Sequence, residues 1–450
     1  MRTPDFPPTP PLTEVATDHY WMPFTANRYF QQHPKMVTSA KGAYFTLSDG
    51  RRVFDCLSAL WTTGLGHGHP KISETLRQQA DTMDFSPPFQ LANPWAHKLA
   101  NRIAGMAPED LNRVFFTNSG SEAVDTAMKI ALAYHRSRGE AGRTRFIGRE
   151  RGYHGVGFGG ISVGGMVGNR KMFSPAMLPG VDHLPHTHDL QQMAFSQGQP
   201  TWGAHLADEL ERMVALHDAS NIAAVIVEPI AGSTGVLVPP LGYLQRLREI
   251  CSKHGILLIF DEVIGGFGRF GENFSCQRLG VTPDLLTFAK QITNGIVPMG
   301  GVVAREGIYQ TFMNGPEHAI ELFHGYTYSG HPLAAAVGNT VLDIIEEDGL
   351  LERVRALEPV LQESFHALKG QGGITDIRNF GLAAAIDLEP IPGKPGLRGM
   401  RVLEEGINQG MLYRVSGDTV AVGPPFISTP DQLRVMAETL GKVANAVPAL

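Results

Sequence analysis

Apolar residues in the middle of this chain come in short unbroken runs, and each run ends on a polar or charged residue. Ile222-Ala-Ala-Val-Ile-Val stops at Glu228, Ile256-Leu-Leu-Ile-Phe at Asp261, and Leu285-Leu-Thr-Phe-Ala at Lys290. Val114-Phe-Phe-Thr leads likewise into Asn118-Ser119-Gly120-Ser121. A strand covered on both faces of a parallel sheet is apolar along its length and turns polar where it emerges. The segments between carry the three-to-four-residue spacing of helices: Ala123 to Tyr134, and Gly242 to His254, the latter closed by Gly255 as a helix C-terminus would be. Strand, helix and strand in succession predict a parallel, doubly wound α/β sheet. Met299–Ala304 reads as a further strand and Leu333–Glu347 as a helix. Ahead of them, Ala43–Ser48 and Arg51–Asp55 flank Asp49-Gly50, a hairpin signal.

From about Gly349 the texture changes to a polar helix, short strands at Gly373–Arg378 and Gly381–Leu388, and a last helix after Ser428-Thr-Pro430. The expected division is an N-terminal arm and part of a small domain over 1–60, a large domain over 61–335 and a C-terminal small domain over 336–450. A chain of 450 residues is long enough for such a division. Composition narrows the classes: 43% hydrophobic and 18% charged residues fit a globular protein, and a net charge of −6 argues against a nucleic-acid surface. No run approaches the ~20 apolar residues of a membrane span. The start, Met1 to Pro11, reads as a Pro-rich arm rather than a signal peptide. Cys56, Cys251 and Cys276 lack paired spacing, as reduced thiols of a cytoplasmic protein would.

Ligands of open α/β sheets bind where strands end. An aspartate and a lysine delivered there suit one chemistry well. The lysine can form a Schiff base with an aldehyde while the aspartate keeps a pyridinium nitrogen protonated. Asp261 and Lys290 therefore point to a pyridoxal-phosphate enzyme. The Ser119-Gly120-Ser121-Glu122 loop, at capping-box spacing before a helix, offers free N–H groups and a positive dipole end to a phosphate. Tyr153 is a flat ring that could stack on a cofactor.

Other matches carry less. Gly155, Gly157 and Gly160 satisfy GxGxxG, and Gly160-Ile-Ser162-Val-Gly164 satisfies GxSxG. The segment that follows is too rich in glycine to open the helix that either motif requires. His67 and His69 read as part of a turn, and His183, His186 and His188 as a solvated loop rather than a metal site.

Taken together, these residues resemble the class III (ω-) aminotransferases of the fold type I pyridoxal-phosphate enzymes, from about Trp21 to the C-terminus. Trp21-Met-Pro-Phe24, Leu60-Trp61-Thr62, Lys290-Gln-Ile-Thr-Asn-Gly and His324-Gly-Tyr-Thr-Tyr-Ser329 are similar to the β-alanine:pyruvate transaminase subgroup. The resemblance implies Lys290 as the cofactor-binding and proton-shuttling lysine and Asp261 as the partner of the pyridine nitrogen. It implies Gly120 and Ser121 as the phosphate seat, Tyr153 and Val263 on opposite cofactor faces, and Glu228 near the ring hydroxyl. Thr327 is implied to reach the phosphate of a neighbouring subunit, hence a homodimer, with pairing of dimers into a homotetramer left open. Phe24, Trp61 and Phe89 are implied to wall the substrate, Phe89 from the partner, with Tyr153 beside them. Arg414 would take the substrate carboxylate. The implied substrates are a small amine donor and pyruvate. One departure stands out: Gly265 replaces the family's usual Thr, Cys or Ala, which suggests a looser turn after Asp261.

Overall fold

The computed structural model describes residues 15–449, so Met1–Pro11 lies outside the described residues. The hairpin forms as expected. β1 (Val37–Lys41), β2 (Tyr44–Leu47) and β3 (Arg52–Asp55) make an antiparallel sheet in which Tyr44 faces Phe54.

The core of the chain is a seven-stranded sheet. Its strands are β4 (Leu111–Thr117), β5 (Arg145–Arg149), β6 (Val181–Leu184), β7 (Ile222–Val227), β8 (Leu257–Asp261), β9 (Leu285–Ala289) and β10 (Gly300–Arg305). They lie in the order β4-β10-β9-β8-β7-β5-β6. Every residue of β7, β8 and β9 is buried, which is why these runs are apolar without alternation. The pairs from β6 to β9 are parallel, but β10 runs antiparallel to both β9 and β4. The reason is the connection. Only a short turn over Lys290–Thr293 precedes β10, and a parallel crossover needs a dozen residues or more. Helices Gly120–Ser137 and Tyr243–His254 pack against this layer, while Pro332–Glu347 packs on the helices Pro70–Thr82 and Pro94–Met106 and on the turn Lys290–Thr293. The second ends at Gly255, whose left-handed φ of 64° closes it.

A third sheet joins β11 (Ile374–Phe380), β12 (Ala383–Leu388), β14 (Arg414–Ser416) and β15 (Thr419–Val422), in the order β11-β12-β15-β14. Between them β13 (Met411–Leu412) pairs in parallel with β3, so the two ends of the chain share one sheet.

Candidate active site

The C-terminal edges of β7, β8 and β9 gather Glu228, Asp261 and Lys290 around one cavity. Gly120, Ser121, Tyr153 and Val263 line the same cavity, so seven of the sequence-predicted residues meet there. The geometry at Asp261 is tightly defined. One carboxylate oxygen accepts from the Val263 N–H and the Thr287 hydroxyl, each at 3.1 Å. The other faces His154 Nδ1 at 2.8 Å. His154 is 2% exposed and its Nε2 has no partner among the described residues, so the proton belongs on Nδ1 and the ring acts as a fixed donor.

Glu228 is buried beside this pair and accepts the Tyr153 N–H at 2.9 Å. Burial pushes its carboxyl up from 4.5 to about 7, with Asp261 adding to the rise and His154 opposing it. Burial also lowers the Lys290 ammonium pKa, against the pull of Asp261 and Glu228. Lys290 holds a left-handed φ of 53°, a strained conformation for a residue with a side chain. The Tyr153 hydroxyl is raised, first by burial and then by Asp261 and Glu228, while the charge of Arg414 acts the other way.

The helix Gly120–Ser137 aims its N-terminus into the cavity. Ser119 Oγ accepts the Glu122 N–H at 3.2 Å, as the spacing predicts. The reciprocal arm reaches one residue further, with Glu122 accepting the Asn118 N–H at 2.7 Å. The first-turn amides of Gly120 and Ser121 have no partner within their own helix. A Cβ at Gly120 would press on Val263 at 2.9 Å, so only glycine leaves that backbone open. An amide-rich helix end, a lysine amine facing the cavity and an oriented carboxylate are the donor set that pyridoxal phosphate requires, and the residues present fit it.

The remaining predicted residues do not line this cavity. Trp61 is buried, at φ 67°, while Phe24, Phe89, Thr327 and Arg414 are exposed. Phe89 packs on Gly325, two residues from Thr327. That loop is clamped to the helix Gly120–Ser137: Thr126 Oγ1 meets His324 Nε2 at 2.9 Å and the Tyr326 hydroxyl at 3.3 Å.

Several residues were not singled out by sequence. His154, Ile264 and Ala289 line the cavity, as does Gly155, noted above only for its GxGxxG match, and Thr287 supports Asp261. Each adjoins a residue that was singled out, or lies on the run leading to one. Other expectations need correction. Short helices do form both within the glycine motifs, at Phe158–Val163, where Asp125 accepts the Gly160 N–H at 3.1 Å, and in the segment after them, at Val167–Arg170. Ser162 on the first is buried, donates to Phe158 O at 2.6 Å and accepts the Leu178 N–H, so it is no nucleophile elbow. His183 lies on β6, and His188 is half-buried, 3.4 Å from Asp387, rather than on a solvated loop. Arg378 lies between Asp376 and Asp387 at 2.7 Å from each, supplying the cation of that cluster. The turn after Asp261 is not loose. A Cβ at Gly265 would collide with Glu262, whose carboxylate accepts from the Ser275 N–H at 3.0 Å, the Ser275 hydroxyl and the Cys276 N–H at 2.7 Å.

Comparison with known proteins agrees with this geometry. The family model described as Aminotransferase class-III matches residues 25–444. An omega-aminotransferase of Caulobacter vibrioides is 56% identical, with 96% of this chain and 98% of that one covered. A beta-alanine–pyruvate aminotransferase of Pseudomonas aeruginosa is 51% identical over 97% of this chain and 98% of its own length. Among solved structures, the omega transaminase of Pseudomonas jessenii in complex with PMP superposes with a TM-score of 0.91 at 30% identity, covering 96% of this chain and 97% of that one.

Proposed function

The chain belongs to the class-III aminotransferases, which depend on pyridoxal phosphate, and from that premise we propose that it transfers an amino group from β-alanine or a related ω-amino acid or amine to pyruvate. The products are L-alanine and an oxo compound such as 3-oxopropanoate. The observation that supports this most directly is the union of a half-buried Lys290, its pKa lowered, with an oriented Asp261 in a chain 51% identical to a beta-alanine–pyruvate aminotransferase.

When bound, pyridoxal phosphate would supply an aldehyde that captures amines and a ring that draws electrons from the substrate carbon carrying the amino group. Gly120 and Ser121 would hold its phosphate with backbone N–H groups, and Tyr153 and Val263 would flank its ring. Asp261, held by His154 and Thr287, would face the ring nitrogen. Lys290 would accept the proton from the amine-bearing carbon of the substrate and hold it for return, since its lowered pKa favours the neutral amine. Glu228, with its carboxyl raised to about 7, would lie near the ring hydroxyl. Arg414 meets the substrate carboxylate with a planar fork, and Phe24, Trp61 and Phe89 enclose the rest.

Thr327 and Phe89 sit together on one surface, outside the cavity of their own chain. They serve the cavity of a second copy, which makes the working unit a homodimer. No helix among the described residues is long and apolar enough to cross a membrane. The three cysteines, all free and buried, support a cytoplasmic setting. The deciding assay offers β-alanine, putrescine, taurine and 4-aminobutyrate with pyruvate and counts L-alanine formed. β-Alanine turnover in wild type and its loss in Lys290→Ala are expected; alanine formation by the variant at the wild-type rate would reject the reading.

A further inference from the structure

Arg269 is among the most deeply buried charges of the molecule. It is 1% exposed, and among the described residues it makes no ion pair. Its guanidinium donates to Pro424 O at 2.7 Å, Leu382 O at 3.2 Å and Ser58 Oγ at 3.0 Å. It lies 5.6 Å from the centre of the Trp61 ring and 4.7 Å from that of Phe426. An unpaired cation in such surroundings is costly unless something holds it. Carbonyl dipoles and two aromatic faces are what hold this one. Burial pushes it down to about 9, against the favourable charge of Asp55.

The segment it grips is strained. Ser58, Ala59 and Trp61 all adopt positive φ, at 50°, 58° and 67°. Ser58 Oγ, the acceptor for Arg269, also donates to Gly423 O at 2.8 Å, and a Cβ at Gly423 would collide with the Trp61 ring. Three non-glycine residues in that conformation persist only when their surroundings over-determine them. The segment is also tied to the catalytic lysine. Gly64 N–H donates to Gln291 Oε1 at 2.7 Å and Leu65 N–H to Asn294 Oδ1 at 2.9 Å, both just beyond Lys290.

We propose that Arg269 is a positioning residue for donor selectivity: its guanidinium, wedged between Trp61 and Phe426 and bonded to Ser58, fixes the indole that walls the amine pocket relative to Lys290. The inference rests on the reading of Trp61 as a donor wall. It adds that the wall is set by a residue on the turn that follows Asp261, so cofactor anchorage and pocket width share one support.

The test compares holoenzymes of wild type, Arg269→Lys, Trp61→Ala and the double variant. The readout is the ratio of kcat/KM for 1-phenylethylamine to that for β-alanine, each with pyruvate, alongside the absorbance of the bound cofactor. Arg269→Lys keeps a cation but loses the planar fork. It should move the ratio about fivefold, mainly through KM, with the cofactor spectrum unchanged. In the Trp61→Ala background the same replacement should leave the ratio where Trp61→Ala put it. An equal shift in both backgrounds, or a shift confined to kcat, would overturn the proposal. If Trp61→Ala alone leaves the ratio unmoved, the reading of Trp61 as a wall fails instead, and the proposal with it. Should Arg269→Lys not fold, Ser58→Ala removes one acceptor and leaves the cation; a smaller ratio change of the same sign supports the proposal, and no change rejects it.

Discussion

At the scale of single residues the site separates charges by burial. Glu228 has its carboxyl raised from 4.5 to about 7, so the folded state binds this proton more tightly than the unfolded state. Stability therefore falls as pH rises between those values, and the cost is complete above about 7 and absent below 4.5. Glu228→Gln keeps an acceptor for the Tyr153 N–H and removes the charge. In the apoprotein it should add up to about 3 kcal/mol at pH 8 and little at pH 4.5, read by urea unfolding at the two pH values. An equal effect at both would count against the raised carboxyl. Arg414 makes a different prediction. A fork bonded to a carboxylate contributes about 1.5–3 kcal/mol, so Arg414→Ala should raise the KM for pyruvate about tenfold or more. The KM for 1-phenylethylamine, which has no carboxylate, should change far less. Equal changes would remove Arg414 from the carboxylate role.

At the scale of elements, the strands were the most legible part of the chain. β7, β8 and β9 are buried along their whole length, so an unbroken apolar run followed by a charge marked both their position and their functional ends. The hairpin at Asp49-Gly50 and the helix closed by Gly255 were equally plain, because turn and cap chemistry are local. What pairs across the sheet was not. His154 lies 107 residues from Asp261, and nothing in the pattern around Gly152-Tyr153-His154 says which carboxylate its ring will meet. The reversed direction of β10 could have been argued from the short link after Lys290, since no crossover helix fits there. Gly265 was misread for a related reason: a glycine in a sequence signals freedom, whereas here it signals contact with Glu262 and Ser275, thirteen residues apart. Gly265→Ala should therefore destabilise the enzyme by about 1–3 kcal/mol through overpacking, seen as a lower Tm. A variant as stable as wild type would restore the loose-turn reading.

At the scale of the whole molecule, the proposed homodimer predicts that Thr327 and Phe89 complete a site in another copy. Subunits carrying Lys290→Ala, mixed with subunits carrying both Thr327→Ala and Phe89→Ala, should then give more activity than the two parents together. Each mixed pair contains one site with its lysine and its borrowed residues intact. Absence of recovery after confirmed subunit exchange would assign both residues to their own chain. The helix Gly120–Ser137 deepens this picture. Its first turn lines the cavity, and further along it Thr126 holds the loop that carries Thr327 through His324 and Tyr326. In the proposed dimer this would make capture of the cofactor and self-association two readings of one equilibrium, because by linkage each would strengthen the other. A concentrated solution of the enzyme would then hold its yellow colour through dialysis, and a dilute one would bleach.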